Sequence, residues 1–200
     1  MRLPAEQRRR QILDVAGPVF AERGFAATTM DEVASAAGVT KPVLYQHFPS
    51  KRALFSDLLD DMGGQLLAEL ATATSQAASG RERVERGFAA YFRFVASHRT
   101  SFRVLFGAAA RNDPDFASIV ERVLAAAAEV IASLIEIDAP LEQRRVLAHA
   151  LIGIAESTSR SVITEPNADV DADALARWTS ELAWFGLRGV RADDVAAVEG

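Results

Sequence analysis

A short stretch of the chain, residues 29–52, concentrates side chains that can donate hydrogen bonds to an anion. Lys41, Tyr45 and His47 lie within seven residues of one another, and Lys51 and Arg52 follow shortly after them. Ammonium, phenol, imidazole and guanidinium groups are all suitable donors for phosphate oxygens. The residue types therefore indicate a surface that binds a polyanion.

The distribution of charge agrees with such a surface. Residues 1–55 contain eight Lys and Arg and five Asp and Glu, whereas the rest of the chain contains fourteen basic and twenty-two acidic residues. A basic segment on a chain of net charge −5 is typical of a protein that meets nucleic acid with one end. Charge alone does not separate this interpretation from chance clustering in a short window.

The residues that enzymes and metal sites need are sparse. The chain has no cysteine, which excludes disulfides, thiolate ligands and a cysteine nucleophile. Its histidines, His47, His98 and His149, lie in three different predicted helices, and none has a metal-ligand partner four residues on. We therefore expect no enzyme, no metal and no cofactor. A hydrolase assembled from scattered residues stays open as an alternative.

Helices must position these side chains, because alanine and leucine abound and no stretch alternates apolar and polar residues as a strand does. The first helix is predicted from about Ala5 to Arg23, with Gly24 directly after its end. The pair Gly17-Pro18 lies inside it, and we expect a kink there since proline removes a backbone donor.

Two short helices follow. Thr29 and Glu32 form a predicted capping box for the second helix. That helix stops at Gly38, a residue that tolerates positive φ in a tight turn. Thr40 precedes the third helix, which runs to about Phe48.

This pattern is typical of a helix-turn-helix unit. Apolar residues of the two helices can form a miniature core, which leaves an outward-facing first turn on the third helix, made of Thr40, Lys41, Pro42 and Val43. In DNA-binding units of this kind, the second helix of the unit, here the third helix of the chain, meets base edges in the major groove with its N-terminal residues. An ordinary helical hairpin would explain the glycine and the caps, but not the cluster of donors.

The stretch from Arg9 to Leu58 resembles the TetR family of transcriptional repressors. The resemblance rests on the segments FAERGF (20–25), TT (28–29), VA (33–34), AGV (37–39), LYQHF (44–48) and SK (50–51). It implies an all-helical dimer whose N-terminal domain binds operator DNA. It also implies a larger C-terminal domain that binds a small effector and releases the DNA.

By position, the resemblance implies two sets of DNA-binding residues. The residues expected at phosphates are Thr29, Tyr45, His47 and Lys51. The residues expected nearest the bases are Thr40, Lys41, Pro42 and Val43. Pro42 and Val43 offer few hydrogen bonds, so base reading would depend on contacts with thymine methyl groups and on the position of the phosphates.

We divide this all-α chain into an N-terminal helix-turn-helix domain (1–52) and a C-terminal helical domain for effector binding and dimerisation (53–200). Breakers such as Ser79-Gly80 and Asn112-Asp113-Pro114 separate the further predicted helices. Those helices are placed near 81–98, 100–110, 114–136, 140–164 and 171–190.

The last two helices carry apolar stripes at helical spacing. Such stripes usually form an internal core, but the family resemblance favours a four-helix interface between two copies of the chain. The residues expected at this homodimer interface are Leu151, Ile154, Trp178, Leu182 and Phe185.

The middle helices are rich in phenylalanine and have few polar residues at core-facing positions. An apolar cavity with a few convergent polar groups is typical of a small-molecule site, although a plain core is the alternative. We expect an apolar or amphipathic effector lined by some of Phe88, Phe92, Phe102, Phe106 and Phe116.

The sequence also indicates a compartment. No apolar signal-type stretch follows the basic first ten residues, and the longest apolar runs are too short to span a bilayer. We therefore expect a cytoplasmic protein with no membrane partner. A helical interaction module without DNA binding is a remaining alternative, against which Lys41, Tyr45 and Lys51 argue.

Overall fold

The computed structural model describes residues 4–99, 102, 104, 111–164 and 171–190, with the backbone alone for 162–164. Within these ranges the chain forms eight α-helices and no strand, which confirms the predicted all-α fold. The helices are α1 (Ala5–Ala27), α2 (Met30–Ala36), α3 (Lys41–His47), α4 (Lys51–Ser75), α5 (Gly80–Ser97), α6 (Pro114–Leu134), α7 (Leu141–Thr164) and α8 (Ala172–Gly189). Most of the helix predicted near 100–110 lies outside the described residues. No helix in the described ranges combines the length and the apolar character needed to cross a membrane.

The chain divides into two compact units. The first contains residues 1–65 and 98–122, and the second contains residues 66–97 and 123–200. The long helices α4 and α6 each contribute residues to both units. The predicted boundary between residues 52 and 53 is a division by function, and it stays a prediction.

The first unit is built around apolar side chains at helical spacing. Ile12, Ala16 and Phe20 recur every four residues of α1 and are fully or almost fully buried. The ring of Phe55 from α4 lies 4.9 Å from that of Phe20 and 4.7 Å from that of Phe116. α1, α4 and the start of α6 therefore share one core. Full burial of a phenylalanine or isoleucine side chain in such a core contributes about 1.5–3 kcal/mol.

The first helix changes direction at a glycine. Gly24 has φ +77° and ψ 163°, a conformation that favours glycine, and it is the one position within Ala5–Ala27 with non-helical dihedral angles. The backbone at Gly17-Pro18 keeps helical dihedral angles, so the helix is interrupted at Gly24 and is not broken at the proline, where the kink stays a prediction. The chain then enters α2 through the extended residues Thr28 and Thr29.

The second unit packs α8 chiefly against α5, and α7 contacts both helices. Its core contains Ala128, Ala132, Ala148 and Leu187, of which Ala132 and Ala148 are fully buried. Small side chains let helix backbones approach closely, which explains how alanine-rich helices form a core here.

Candidate nucleic-acid interface

The turn between α2 and α3 is fixed by a cap, a glycine and a backbone bond. The hydroxyl of Thr29 accepts from the backbone N–H of Glu32 (3.3 Å), whose carboxylate accepts from the N–H of Thr29 (2.9 Å), so the predicted capping box is confirmed. Gly38 has φ +63°, as its place in the turn requires. The N–H of Val39 donates to the carbonyl of Ala34 (3.0 Å). These contacts determine where the start of α3 lies relative to α2.

The first turn of α3 forms an exposed surface of mixed chemistry. Thr40 occupies the N-cap position, but its side chain makes no capping hydrogen bond. Lys41 and Pro42 are exposed and Val43 is half-buried, whereas Leu44 is fully buried in the core of the unit. The helix therefore turns one face inward and leaves the residues predicted to lie nearest the bases on the outside.

The residues predicted at phosphates differ in exposure. Thr29 is exposed, and Tyr45 is 43% exposed although it is a large aromatic residue. His47 is half-buried, with its ring centroid 6.5 Å from that of the fully buried Phe48. An exposed phenol at the surface of a short helix is suited to an external hydrogen bond.

Lys41 forms an ion pair across the turn. Its Nζ lies 2.9 Å from Oδ1 and 3.0 Å from Oδ2 of Asp31, in the first turn of α2. The hydrogen bond that Lys41 donates to this carboxylate raises the pKa of the ammonium group. The cation among residues 40–43, Lys41, is therefore already paired within the unit.

Lys51 is engaged within its own unit. Its Nζ donates to the carbonyls of Phe25 (2.7 Å), Ala26 (3.1 Å) and Thr28 (2.7 Å), and it lies 4.7 Å from the centroid of the Phe25 ring. An ammonium group has three N–H donors, so all of them are used here. The predicted phosphate contact of Lys51 stays a prediction, and it requires at least one of these bonds to open.

Arg52 joins the start of α4 to the start of α6. Its guanidinium donates to the carboxylates of Asp113 (2.6 and 2.9 Å) and Asp115 (2.6 Å), and it stacks 4.7 Å from the centroid of the Phe116 ring. The bonds from Arg52 lower the pKa of the Asp113 carboxyl. This arginine is therefore directed at neighbouring side chains of its own unit.

The first helix braces the helix-turn-helix unit. Gln11 donates from its amide to the carbonyl of Ala37 in the turn (3.0 Å), and Arg9 bonds Asp57 of α4 (2.8 Å). The guanidinium of Arg9 also lies 5.1 Å from the centroid of the Phe48 ring at the end of α3. Arg9 therefore contacts the end of α3 as well as adding positive charge.

The sequence matches family models over both halves of this architecture. A model described as "Bacterial regulatory proteins, tetR family" matches residues 12–58, and one described as "Tetracyclin repressor-like, C-terminal domain" matches residues 80–186, more than half of the chain. The chain belongs to the TetR family. The helix-turn-helix of this TetR-family protein is the DNA-binding unit of a transcriptional regulator, as the sequence predicted.

Relatives along almost the whole chain support this membership. The HTH-type transcriptional activator FasR of Mycolicibacterium smegmatis is 33% identical, over 94% of this chain and 87% of its own. The HTH-type transcriptional repressor KstR2 of Mycobacterium tuberculosis is 28% identical, over 92% and 82%. A solved TetR-like transcriptional regulator from Rhodococcus sp. RHA1 has a TM-score of 0.77 at 33% identity, over 94% of this chain and 100% of that one. Similar chains thus include a named activator and a named repressor.

The apolar stripe of α8 is exposed in the single chain. Trp178, Leu182 and Phe185 are 63%, 65% and 66% exposed. Their spacing of four and three residues places them on one face of the helix. Large apolar side chains that share an exposed face mark an interaction surface.

The apolar residues of α7 are arranged differently. Leu151 and Ile154, both predicted at the dimer interface, are half-buried, and Leu151 packs against the core of its own unit. Val146, which no sequence pattern indicated, is 68% exposed. Helical spacing alone could not find it, because a single valine does not make a stripe.

The phenylalanines predicted around an effector lie in different parts of the chain. Phe88 and Phe92 are neighbours on α5 in the second unit, with ring centroids 6.2 Å apart. Phe102 and Phe116 belong to the first unit, where both are buried. Phe106 lies outside the described residues. Within one unit, the structure thus brings Phe88 and Phe92 together.

A small polar group of α5 and α7 lies beside this pair. Tyr91 packs its ring edge-on to that of Phe92, and its hydroxyl lies near Ser159. Burial raises the pKa of Tyr91 far above its ordinary value, and burial also raises the pKa of Glu156, an effect that nearby Arg160 opposes. Oε1 of Glu156 is buried and hydrogen-bonds to none of the described residues.

Proposed function

We propose that this TetR-family protein is a cytoplasmic homodimeric repressor that binds a palindromic operator and leaves it when a small apolar or amphipathic effector binds. DNA binding would reside in residues 1–52 with the start of α4, and effector binding and dimerisation in residues 53–200. The observation that carries the proposal is the exposed first turn of α3, which the capping box and the Gly38 turn hold in place.

In this proposal the donors have two roles. The first turn of α3, residues 40–43, approaches the base edges in the major groove. Thr29, Tyr45 and His47 contact phosphates, which fix the position of the protein on the duplex. Lys51 contacts a phosphate only when its ammonium leaves a carbonyl at the end of α1.

A homodimer follows from what specific recognition needs. One recognition helix reads too few bases, whereas two-fold pairing presents two of them to a palindromic site. The exposed stripe of Trp178, Leu182 and Phe185 supports a seam along α8, because each such side chain gains about 1.5–3 kcal/mol when it is fully buried. Leu151 and Ile154 would contribute from α7.

The effector would bind beside Phe88 and Phe92 in the second unit. The unpaired Oε1 of Glu156 can accept a hydrogen bond from a hydroxyl or amine on an otherwise apolar molecule. Apolar walls with a few polar groups are usual in small-molecule sites. Phe102, Phe106 and Phe116 stay predicted contacts.

Selection and titration of DNA test the proposal. The full chain should enrich a palindrome from a randomised pool of duplexes of about three helical turns, ~30 base pairs. The double variant Lys41→Ala/Tyr45→Phe should bind the selected duplex much more weakly than the wild type. Equal binding by the two proteins would show that α3 does not carry DNA recognition.

Activation is a second candidate function, because the relative from M. smegmatis, 33% identical, is named an activator. In vitro transcription from a promoter that carries the selected duplex separates the two. A repressor lowers transcript yield and an apolar effector restores it, whereas an activator raises the yield.

A further inference from the structure

An acidic residue lies beside the cation on the exposed face of the helix-turn-helix unit. Both carboxylate oxygens of Asp31 are within hydrogen-bonding distance of Lys41 Nζ, at 2.9 and 3.0 Å. The two side chains are 66% and 53% exposed, so both are open to the solvent from which DNA would approach. A carboxylate at this place weakens the attraction for phosphates, which calls for an explanation.

Capping hydrogen bonds do not account for Asp31, although its charge in the first turn of α2 interacts favourably with the helix dipole. An ion pair between two exposed side chains contributes little to the free energy of folding, because water screens the charges. The start of α2 is already capped by Thr29 and Glu32, which satisfy each other's backbone N–H groups. Besides this modest effect on α2, Asp31 determines the surroundings of the Lys41 ammonium.

We propose that Asp31 is a specificity-determining residue of the DNA-binding surface. The inference rests on the proposed function, in which the first turn of α3 approaches the bases. Asp31 occupies part of the donor capacity of Lys41 and fixes its ammonium group, which leaves at least one N–H for an outside acceptor. The negative charge of Asp31 also offsets the positive charge of the ammonium, so Lys41 contributes little binding free energy when a phosphate is merely nearby.

This arrangement makes the contribution of Lys41 depend on the base it meets. A fixed donor whose charge is offset adds to the affinity only where a base presents an acceptor in the right place, as guanine does with O6 and N7. Without the carboxylate, Lys41 becomes a mobile cation that can pair with a phosphate at any sequence. Binding to non-operator DNA then rises more than binding to the operator.

The variant Asp31→Asn tests this, because asparagine keeps the shape of the side chain and removes its charge. The probes are the duplex selected by the wild-type chain and a scrambled duplex of the same composition. We expect Asp31→Asn to bind the scrambled duplex about tenfold more tightly and to lower the ratio of the two affinities about tenfold. The salt dependence on the scrambled duplex should steepen by about 0.9, the slope for one further phosphate contact.

The matched control is Asp14→Asn, which makes the same charge change in an exposed ion pair of α1, with Arg10. It should shift binding to both duplexes equally and leave their ratio within about twofold, since its effect on DNA is only long-range. Asp31→Glu keeps the charge and should retain most of the ratio. Thermal melting should show all three variants folded.

A double-mutant cycle assigns the effect to Lys41. In a Lys41→Ala background, Asp31→Asn should no longer change the ratio. The inference is overturned if Asp31→Asn leaves the ratio unchanged, or lowers it equally with and without Lys41. If the wild-type chain enriches no sequence at all, the proposed function fails and the inference fails with it. A selected sequence with an unaffected ratio overturns the inference alone.

Discussion

At the scale of single residues, the structure gives Lys51 contacts within its own unit that the predicted phosphate contact did not include. Its ammonium donates to three carbonyls at the end of α1, where the helix leaves backbone acceptors without partners. We expect Lys51→Ala to lower the free energy of unfolding by about 1–2 kcal/mol, since hydrogen bonds to charged groups are stronger than neutral ones and the site is only half-buried. Urea unfolding followed by circular dichroism measures this change.

A matched control is Arg81→Ala, which removes a cation from an exposed pair with Glu85 on α5. This variant should change the free energy of unfolding by less than about 0.5 kcal/mol. If Lys51→Ala weakened DNA binding but unfolded at the same urea concentration as the wild type, Lys51 would act as a phosphate ligand alone, and its bonds to α1 would be unimportant.

At the scale of the elements, the cap of α2 links stability to pH. The bonds between Thr29 and Glu32 lower the pKa of the Glu32 carboxyl below its ordinary 4.5. The unfolded chain therefore binds a proton at Glu32 more readily than the folded one. The stabilisation is complete above the ordinary pKa and is lost as the pH falls through the lowered one.

We expect Thr29→Ala to cost about 1 kcal/mol of unfolding free energy at pH 7, the usual effect of losing an N-cap. Only the part of this difference that comes from the bond between the Thr29 hydroxyl and the Glu32 carboxylate (3.0 Å) should disappear at a pH below the lowered pKa of Glu32. The bond that the Glu32 N–H donates to the Thr29 hydroxyl does not depend on the carboxylate, so the rest of the difference should remain. Urea titrations at pH 7 and in acid measure both values. A difference that stayed constant with pH would show that the bond between the Thr29 hydroxyl and the Glu32 carboxylate contributes nothing to the cap.

How far the sequence predicts these elements depends on how local the cause is. The capping box and the Gly38 turn are decided by residues a few positions apart, and both predictions are confirmed. The bonds of Lys51 could not be foreseen, because they join residues more than twenty positions apart through the path of the chain after Gly24. The pair of Asp31 and Lys41 likewise depends on the geometry of the turn between their helices.

At the scale of the whole molecule, dimerisation should depend on the exposed stripe of α8. Phe185→Asp would place a charge in the proposed seam, where its desolvation opposes association. We expect a monomer at micromolar concentration in sedimentation velocity, and weakened operator binding because two recognition helices are no longer paired. Val130→Asp is the control, since Val130 is 45% exposed on α6, outside the proposed seam, and its replacement should leave the dimer intact. A wild-type protein that sediments as a monomer would rule out the seam altogether.

Effector control must obey linkage between the two ligands. A molecule that lowers operator affinity a hundredfold needs about 2.7 kcal/mol of coupling, and the operator must lower the affinity for that molecule by the same factor.

Fatty acids and steroids are suitable probes, because they are largely apolar and carry few polar groups. We expect at least one of them to raise the melting temperature of the full chain. Replacement of Phe92, which lies beside Tyr91 in the second unit, by alanine should weaken that effect. The control is Phe55→Leu, whose ring packs on Phe20 in the core of the first unit, and which should lower stability while leaving the shift caused by the probe. If a probe releases the DNA but the operator does not weaken its binding, the release is not coupled through this protein. If none of the probes shifts the melting temperature, DNA binding still stands, because it depends on the first unit and not on an effector.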